Sequence, residues 1–199
     1  ALAAQGLAFS RAYCCSQLCG PARRSMLTGL YPHQHGETKN DIDHPFDRET
    51  YLELLAGAGY RNYYYGKWHA GPGTALDHGC AGFSYPSYSN PYTKPEYLAY
   101  LERNRLPAPE ILIERNFWPP ALRNGQPNPM QVGQKYRQLR PWCNEHAAGL
   151  MLTPKETHES FFLAQLACEQ LRQLAQSSQD QPFHLRVDFW GPHQPYFPT

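Results

Sequence analysis

No apolar run in this chain of 199 residues approaches the roughly 20 residues needed to cross a bilayer, so no membrane span is expected. An excess of one charge is also lacking, since 18 Lys and Arg face 17 Asp and Glu for a formal net charge of +1. Nothing in that balance points to nucleic acid or a charged membrane surface as partner. Paired C-x-x-C spacing is missing too. Cys14, Cys15, Cys19, Cys80, Cys143 and Cys168 match neither a zinc framework nor a disulfide scaffold. A mostly reduced set with one cysteine doing chemistry is the better reading. There is no internal repeat and no low-complexity tract.

A starting Met and a signal peptide are likewise absent. The chain opens on Ala1-Leu2-Ala3-Ala4-Gln5-Gly6, which reads as the tail of a helix reaching its glycine stop, and halts in a loop at Pro192 to Thr199. Both ends are expected to be cuts in a longer polypeptide, so localisation is left open.

Hydrophobic residues make up 41% of the chain and aromatics 14%, led by 14 tyrosines. That is enough for a sizeable core in one domain, or most of one. The pattern is α/β. Leu7 to Tyr13 alternates apolar and polar residues and predicts a short strand. Pro21 fits the first turn of a helix that Gly29 would stop, and Thr50 caps a second helix reaching to about Ala58. Arg61 to Gly66 and Phe183 to Trp190 predict strands, and Thr153-Pro154 opens a long helix to about Ala175. Between them, positions 71–152 are dense in Pro, Tyr and Asn and show one helical stretch, Pro95 to Asn104. This segment reads as a long ordered insertion.

The chemistry concentrates at Cys19-Gly20-Pro21-Ala22-Arg23. A cysteine at a helix start faces unpaired backbone N–H groups and the positive end of the helix dipole. Arg23, one turn on, adds a permanent cation, which suits an anion or an activated nucleophile. Taken alone, the same residues fit a buried cysteine before a helix with a surface arginine better.

Three blocks together change that balance. Cys19, Pro21, Arg23, Thr28 and Gly29 are followed by Tyr31-Pro32-His33-Gln34-His35-Gly36. Gly59-Tyr60 precedes Gly66-Lys67-Trp68-His69, and an apolar strand leads into Pro192-His193-Gln194-Pro195. In this order, across nearly the whole chain, they resemble the formylglycine-dependent sulfatases of the alkaline phosphatase superfamily.

The resemblance implies a large mixed, mostly parallel sheet flanked by helices, with residues 1–199 supplying part of the catalytic domain and positions 71–152 lining its substrate side. It also implies sulfate ester hydrolysis, with Cys19 oxidised to formylglycine by a formylglycine-generating enzyme. Converted Cys19 would then be both nucleophile and ligand to a divalent cation, usually Ca2+. By the same resemblance, Arg23 stabilises the nucleophile, and Lys67 and His69 sit beside it and the sulfate. His193 binds the sulfate or helps protonate the leaving alcohol. The substrate would be a small-molecule or saccharide sulfate ester.

Two departures are conservative: Asn62 stands where the family commonly has threonine, and Ala22 where it has serine. The family's paired aspartates, its Asp-Asn pair and a further lysine match nothing here, and Asp41 and Asp43 fit no motif. The piece alone is therefore expected to bind metal poorly and to be inactive. His33 and His35 fit a structural pair as well as a site role, Tyr63 to Tyr65 fit strand packing, and His78 is not expected at the site. The competing readings are a phosphonate or phosphate monoester hydrolase of the same superfamily, and an unmodified homologue serving as a binding module.

Overall fold

The computed structural model describes residues 2–40, 42, 44–86, 90–117, 130–137, 147–177 and 180–199. Asp41, Asp43, Cys143 and parts of the 71–152 segment lie outside the described residues. The helices are α1 Leu2–Gln5, α2 Cys19–Thr28, α3 Pro32–His35, α4 Tyr51–Gly57, α5 Pro95–Arg103 and α6 Glu159–Gln176. The strands are β1 Arg61–Lys67, β2 Cys80–Tyr85, β3 Glu110–Asn116, β4 Lys135–Arg137, β5 Ala147–Met151 and β6 Phe183–Asp188.

Strands β2, β1 and β6 form a parallel three-stranded sheet with β1 in the centre. Successive tyrosines of β1 point to opposite faces. Tyr64 packs with Leu27 of α2, Leu52 of α4 and Trp68. Tyr65 belongs to the opposite core with Phe83, Phe162 and Leu163 of α6. The sheet is thus sandwiched, with α2 and α4 on one face and α6 on the other, which is the expected α/β architecture. The tyrosine run serves packing on both sides, as its alternation predicts. Gly66 is needed in β1 because its φ is +116°, and a β-carbon there would collide with the carbonyl oxygen of Asp188 on β6.

Phe162 fills the second core, edge-on to Phe83 at 5.3 Å and to Tyr97 at 5.4 Å between centroids. Contacts of this kind add about 0.5–1.5 kcal/mol each beyond burial. The antiparallel sheet β4-β3-β5 feeds the same core through Ile111, Ile113, Ala147 and Met151. The 71–152 segment therefore shares its core with the parallel sheet, and β2 within it is a strand of that sheet.

Several boundaries differ from the sequence reading. Leu7 to Tyr13 forms no strand, and Leu7, Phe9 and Tyr13 are 79%, 76% and 88% exposed. Alternation supplies a two-sided ribbon, but no described strand hydrogen-bonds to it. The long helix begins at Glu159, not at Thr153. Thr157 N–H donates to the Pro154 carbonyl at 2.8 Å in a separate 3-10 turn, and Nδ1 of His158 then accepts from Ser160 N–H at 3.2 Å. Burial lowers the His158 pKa, which keeps that ring nitrogen available as an acceptor. Strand β6 stops at Asp188, two residues before the expected end.

Candidate active site

Helix α2 starts at Cys19 without a side-chain cap from Leu18. Asn40 replaces it from a distance: its Oδ1 accepts the Gly20 N–H at 2.9 Å. The other end closes on Gly29, whose φ of 71° suits a residue without a β-carbon. Cys19 thus occupies the first turn, at the positive end of the helix, as the sequence predicts.

Strands β1 and β6 end beside it. Lys67 closes β1, Asp188 closes β6, and Phe189 to Gln194 run on as a strap. Cys19, Arg23, Lys67, Trp190 and His193 line a cleft of about 290 Å3 at these strand ends. Ligands of open parallel sheets gather at the carboxyl ends of strands, and four of the five residues expected from the sequence meet there. His69 does not line this cleft. It is buried at 3% exposure with φ of 42°, a left-handed conformation that costs a residue with a β-carbon about 1–2 kcal/mol.

Lys67 is buried, with its ammonium 4.5 Å above the Trp190 ring. Arg23 is held by one nitrogen: Nη1 donates to the Lys67 carbonyl at 3.0 Å, the Trp68 carbonyl at 3.3 Å and Asp188 Oδ2 at 2.8 Å. Asp188 is also gripped by Arg186, whose Nε and Nη2 reach its two oxygens at 3.0 Å each. Burial alone would raise the Asp188 pKa, but the two guanidiniums and the Tyr64 hydroxyl hold it below the usual range. Tyr64, 2.5 Å from Asp188 Oδ2 and 2.8 Å from the Lys67 carbonyl, is pushed upward by burial and stays protonated.

His193 is held by the Gln194 carbonyl, 2.6 Å from Nδ1. Burial first, and Lys67 nearby, lower its pKa against that bond, so the imidazole is neutral at pH 7. Arg23, Arg186 and Lys67 outnumber Asp188, so the cleft carries net positive charge suited to an anion.

The other histidines weighed in the sequence, His33, His35 and His78, line no part of this cleft. Nδ1 of His35 accepts the Glu37 N–H at 3.2 Å, so Nε2 bears the proton and donates to Ser25 Oγ at 2.9 Å. His33 is stacked with Tyr31, their ring centroids 6.0 Å apart, and lines no part of the cleft. His78 lies 3.2 Å from Glu53 and stacks on Trp68, also away from the cleft. A larger recess of about 400 Å3, bordered by Tyr13, Cys14, Cys15, Met26 and Tyr31, contains none of the expected site residues. The five described cysteines are unbridged.

Asp188, Arg186, Tyr64 and Asn40 escaped the sequence reading. Arg186 and Asp188 had left a signal, because two opposite charges spaced by two residues in an apolar strand share one face. Asn40 left none. No group of three or more His, Cys, Asp or Glu among the described residues is placed to hold a metal ion. A divalent cation therefore does not fit these residues by themselves.

A cationic cleft at parallel strand ends, with a helix amino terminus presenting a cysteine, is an α/β site whose charge suits an anion. The chain belongs to the sulfatase family, whose model, described as Sulfatase, matches residues 1–199. Over 68 residues it is 41% identical to the uncharacterized sulfatase YidJ of Escherichia coli (strain K12), covering 34% of this chain and 14% of that protein. It is 38% identical over 68 residues to an N-acetylglucosamine-6-O-sulfatase of Bacteroides thetaiotaomicron, covering 34% of this chain and 12% of that protein. The fold is similar to that of Ps i-CgsB, solved in complex with k-i-k-neocarrahexaose. The TM-score is 0.52 at 17% identity, over 92% of this chain and 36% of the other. These matches thus span well under half the length of the proteins compared.

Proposed function

We propose that the whole protein hydrolyses sulfate esters through Cys19 converted to formylglycine. One observation carries the reading: Cys19, Arg23, Lys67 and His193, drawn from three separate motif blocks, line one cleft. Formylglycine in its hydrated form would supply a hydroxyl to attack sulfur. Arg23 and Lys67 place fixed cations where charge gathers on the sulfate oxygens, in a partly dry site that strengthens them. His193, whose Nδ1 donates to the Gln194 carbonyl, would bind the sulfate or protonate the leaving oxygen only after Nε2 takes a proton, which a bound anion favours. His69, two residues past β1 and outside the cleft lining, is the candidate base by the family resemblance, and its left-handed backbone is consistent with a residue held for function. The divalent cation of the family, Ca2+ by resemblance, would need ligands beyond these residues, with converted Cys19 as the ligand supplied here. The names of the relatives favour a sulfated saccharide as substrate; a formylglycine-generating enzyme as maturation partner follows from the family resemblance alone.

The test is mass spectrometry of the Cys19 peptide from the whole protein co-expressed with a formylglycine-generating enzyme. Conversion of thiol to aldehyde lowers the mass by about 18 Da. An intact thiol together with inertness toward sulfate esters overturns the reading. Faster turnover of phosphate than of sulfate esters would move the protein to the monoesterase alternative.

A further inference from the structure

We propose that Asp188 is a positioning residue for Arg23, fixing which edge of its guanidinium faces the cleft, and that Arg186 is the buttress holding Asp188 in place. The proposal rests on the sulfatase reading for its effect on rate, but not for its geometry. Arg23 spends one nitrogen, Nη1, on the strand ends: the carbonyl of Lys67 in β1, that of Trp68 just after it, and Asp188 Oδ2. The carbonyls alone would leave the planar group free to pivot. The carboxylate fixes a third point and supplies the charge that a cation beside Lys67 otherwise lacks.

Asp188 is itself immobilised. Arg186 grips both oxygens in the two-point geometry that makes arginine–carboxylate pairs strong. Arg186 Nη1 is tied in turn to the Tyr51 hydroxyl at 3.2 Å, at the start of α4. Tyr64 approaches Oδ2 from the central strand. The network therefore joins α4, β6, β1 and α2 and ends on the one arginine that lines the cleft. Asp188 is not a proton carrier: both oxygens are engaged, its pKa is lowered, and it does not line the cleft. Without its charge, Arg23, Arg186 and Lys67 repel one another across a partly dry region, and Arg23 is the one with room to move.

Asp188→Asn keeps the shape and removes the charge. In the whole, matured protein kcat should fall roughly 10- to 100-fold, the scale of an ångström-sized misplacement, with KM changed far less and aldehyde at position 19 unaffected. In an Arg23→Lys background the same substitution should cost under about threefold, since coupled residues do not add. Losses that multiply in the double variant would mean a general structural role and sink the proposal. Arg186→Gln, which leaves Arg23 and the Asp188 carboxylate in place but removes the grip on that carboxylate, should give a smaller loss in the same direction. It is the variant to use if Asp188→Asn does not fold. A crystal structure of either variant reads the geometry without any turnover. A displaced Arg23 guanidinium supports positioning, and an unmoved one overturns it. Absence of sulfatase activity in the matured wild type would sink the functional reading alone.

Discussion

The ammonium of Lys67 rests 4.5 Å above the ring of Trp190, so the last residue of β1 and the strap that follows β6 fix each other across the cleft. A cation over an indole face gains about 0.5–2 kcal/mol, more as water is excluded. Trp190→Ala should lower kcat/KM on sulfate esters roughly 10-fold or more by releasing both Lys67 and the strap. Trp190→Phe should lose less than half of that effect on a logarithmic scale. Steady-state kinetics of both variants decides it; equal losses would show that the ring face is not what matters.

Adjacent arginines should respond in opposite ways. Arg24 is buried, pairs with Glu37 at 3.1 Å and lies 3.9 Å over Phe46. Removing one partner of a buried pair strands the other charge and typically costs 3–5 kcal/mol, so Arg24→Met should lower unfolding stability by about that much. Arg23→Lys should leave stability within about 1 kcal/mol while reducing activity at least about 100-fold. Denaturant unfolding and turnover, measured on the same preparations, separate the two.

Glu159 makes the stability depend on pH. It is fully buried at the first turn of α6, with the Ser160 hydroxyl at 3.0 Å, and burial outweighs the nearby Trp190 and Gly191 N–H groups to push it up to about 7. Its ordinary value is 4.5. Between these values the folded chain keeps a proton that the unfolded chain has lost. This contribution is therefore complete below the lower value and fades as pH rises through the upper, by about 1.4 kcal/mol per unit at most. Glu159→Gln should flatten the slope and make the protein more stable than wild type at pH 8. A slope unchanged by the substitution would assign it to another group.

His193 should titrate below the ordinary histidine value of 6.5 in the ligand-free protein, because burial and Lys67 disfavour its charged form. A bound anion reverses that balance. Nuclear magnetic resonance of the ring protons should show a midpoint under 6.5 that moves upward on adding inorganic sulfate. A midpoint insensitive to sulfate would place the ring away from the anion.

The residues legible in the sequence were those whose neighbours in the chain constrain them. Cys19 and Arg23 sit one turn apart on a helix closed by Gly29, and Thr50 and Glu53 form a capping box with Glu53 N–H donating to Thr50 Oγ1 at 3.3 Å. Asp188 and Asn40 act through contacts 165 and 20 positions away in sequence, to Arg23 and Gly20, and local patterning carries no trace of such distances. Strand β2 was hidden for a related reason. Its Cys80-Ala81-Gly82-Phe83-Ser84-Tyr85 lacks clean alternation, and only pairing with β1 makes it a strand. At Leu7 to Tyr13 the error runs the other way, since alternation was present and a partner was not.

The strap that carries His193 leaves β6 of the parallel sheet and arrives at Tyr196, whose N–H and carbonyl bond to Ala147 and Gly149 of β5 in the antiparallel one. The histidine is thus slung like a rope bridge between two anchorages of different origin. Whatever tilts the far bank, a lengthened loop in positions 71–152 or a bulky alcohol pressing on it, also retensions the span. Exchanging that bank among relatives to change substrate preference should therefore be felt as an altered rate as well as an altered fit.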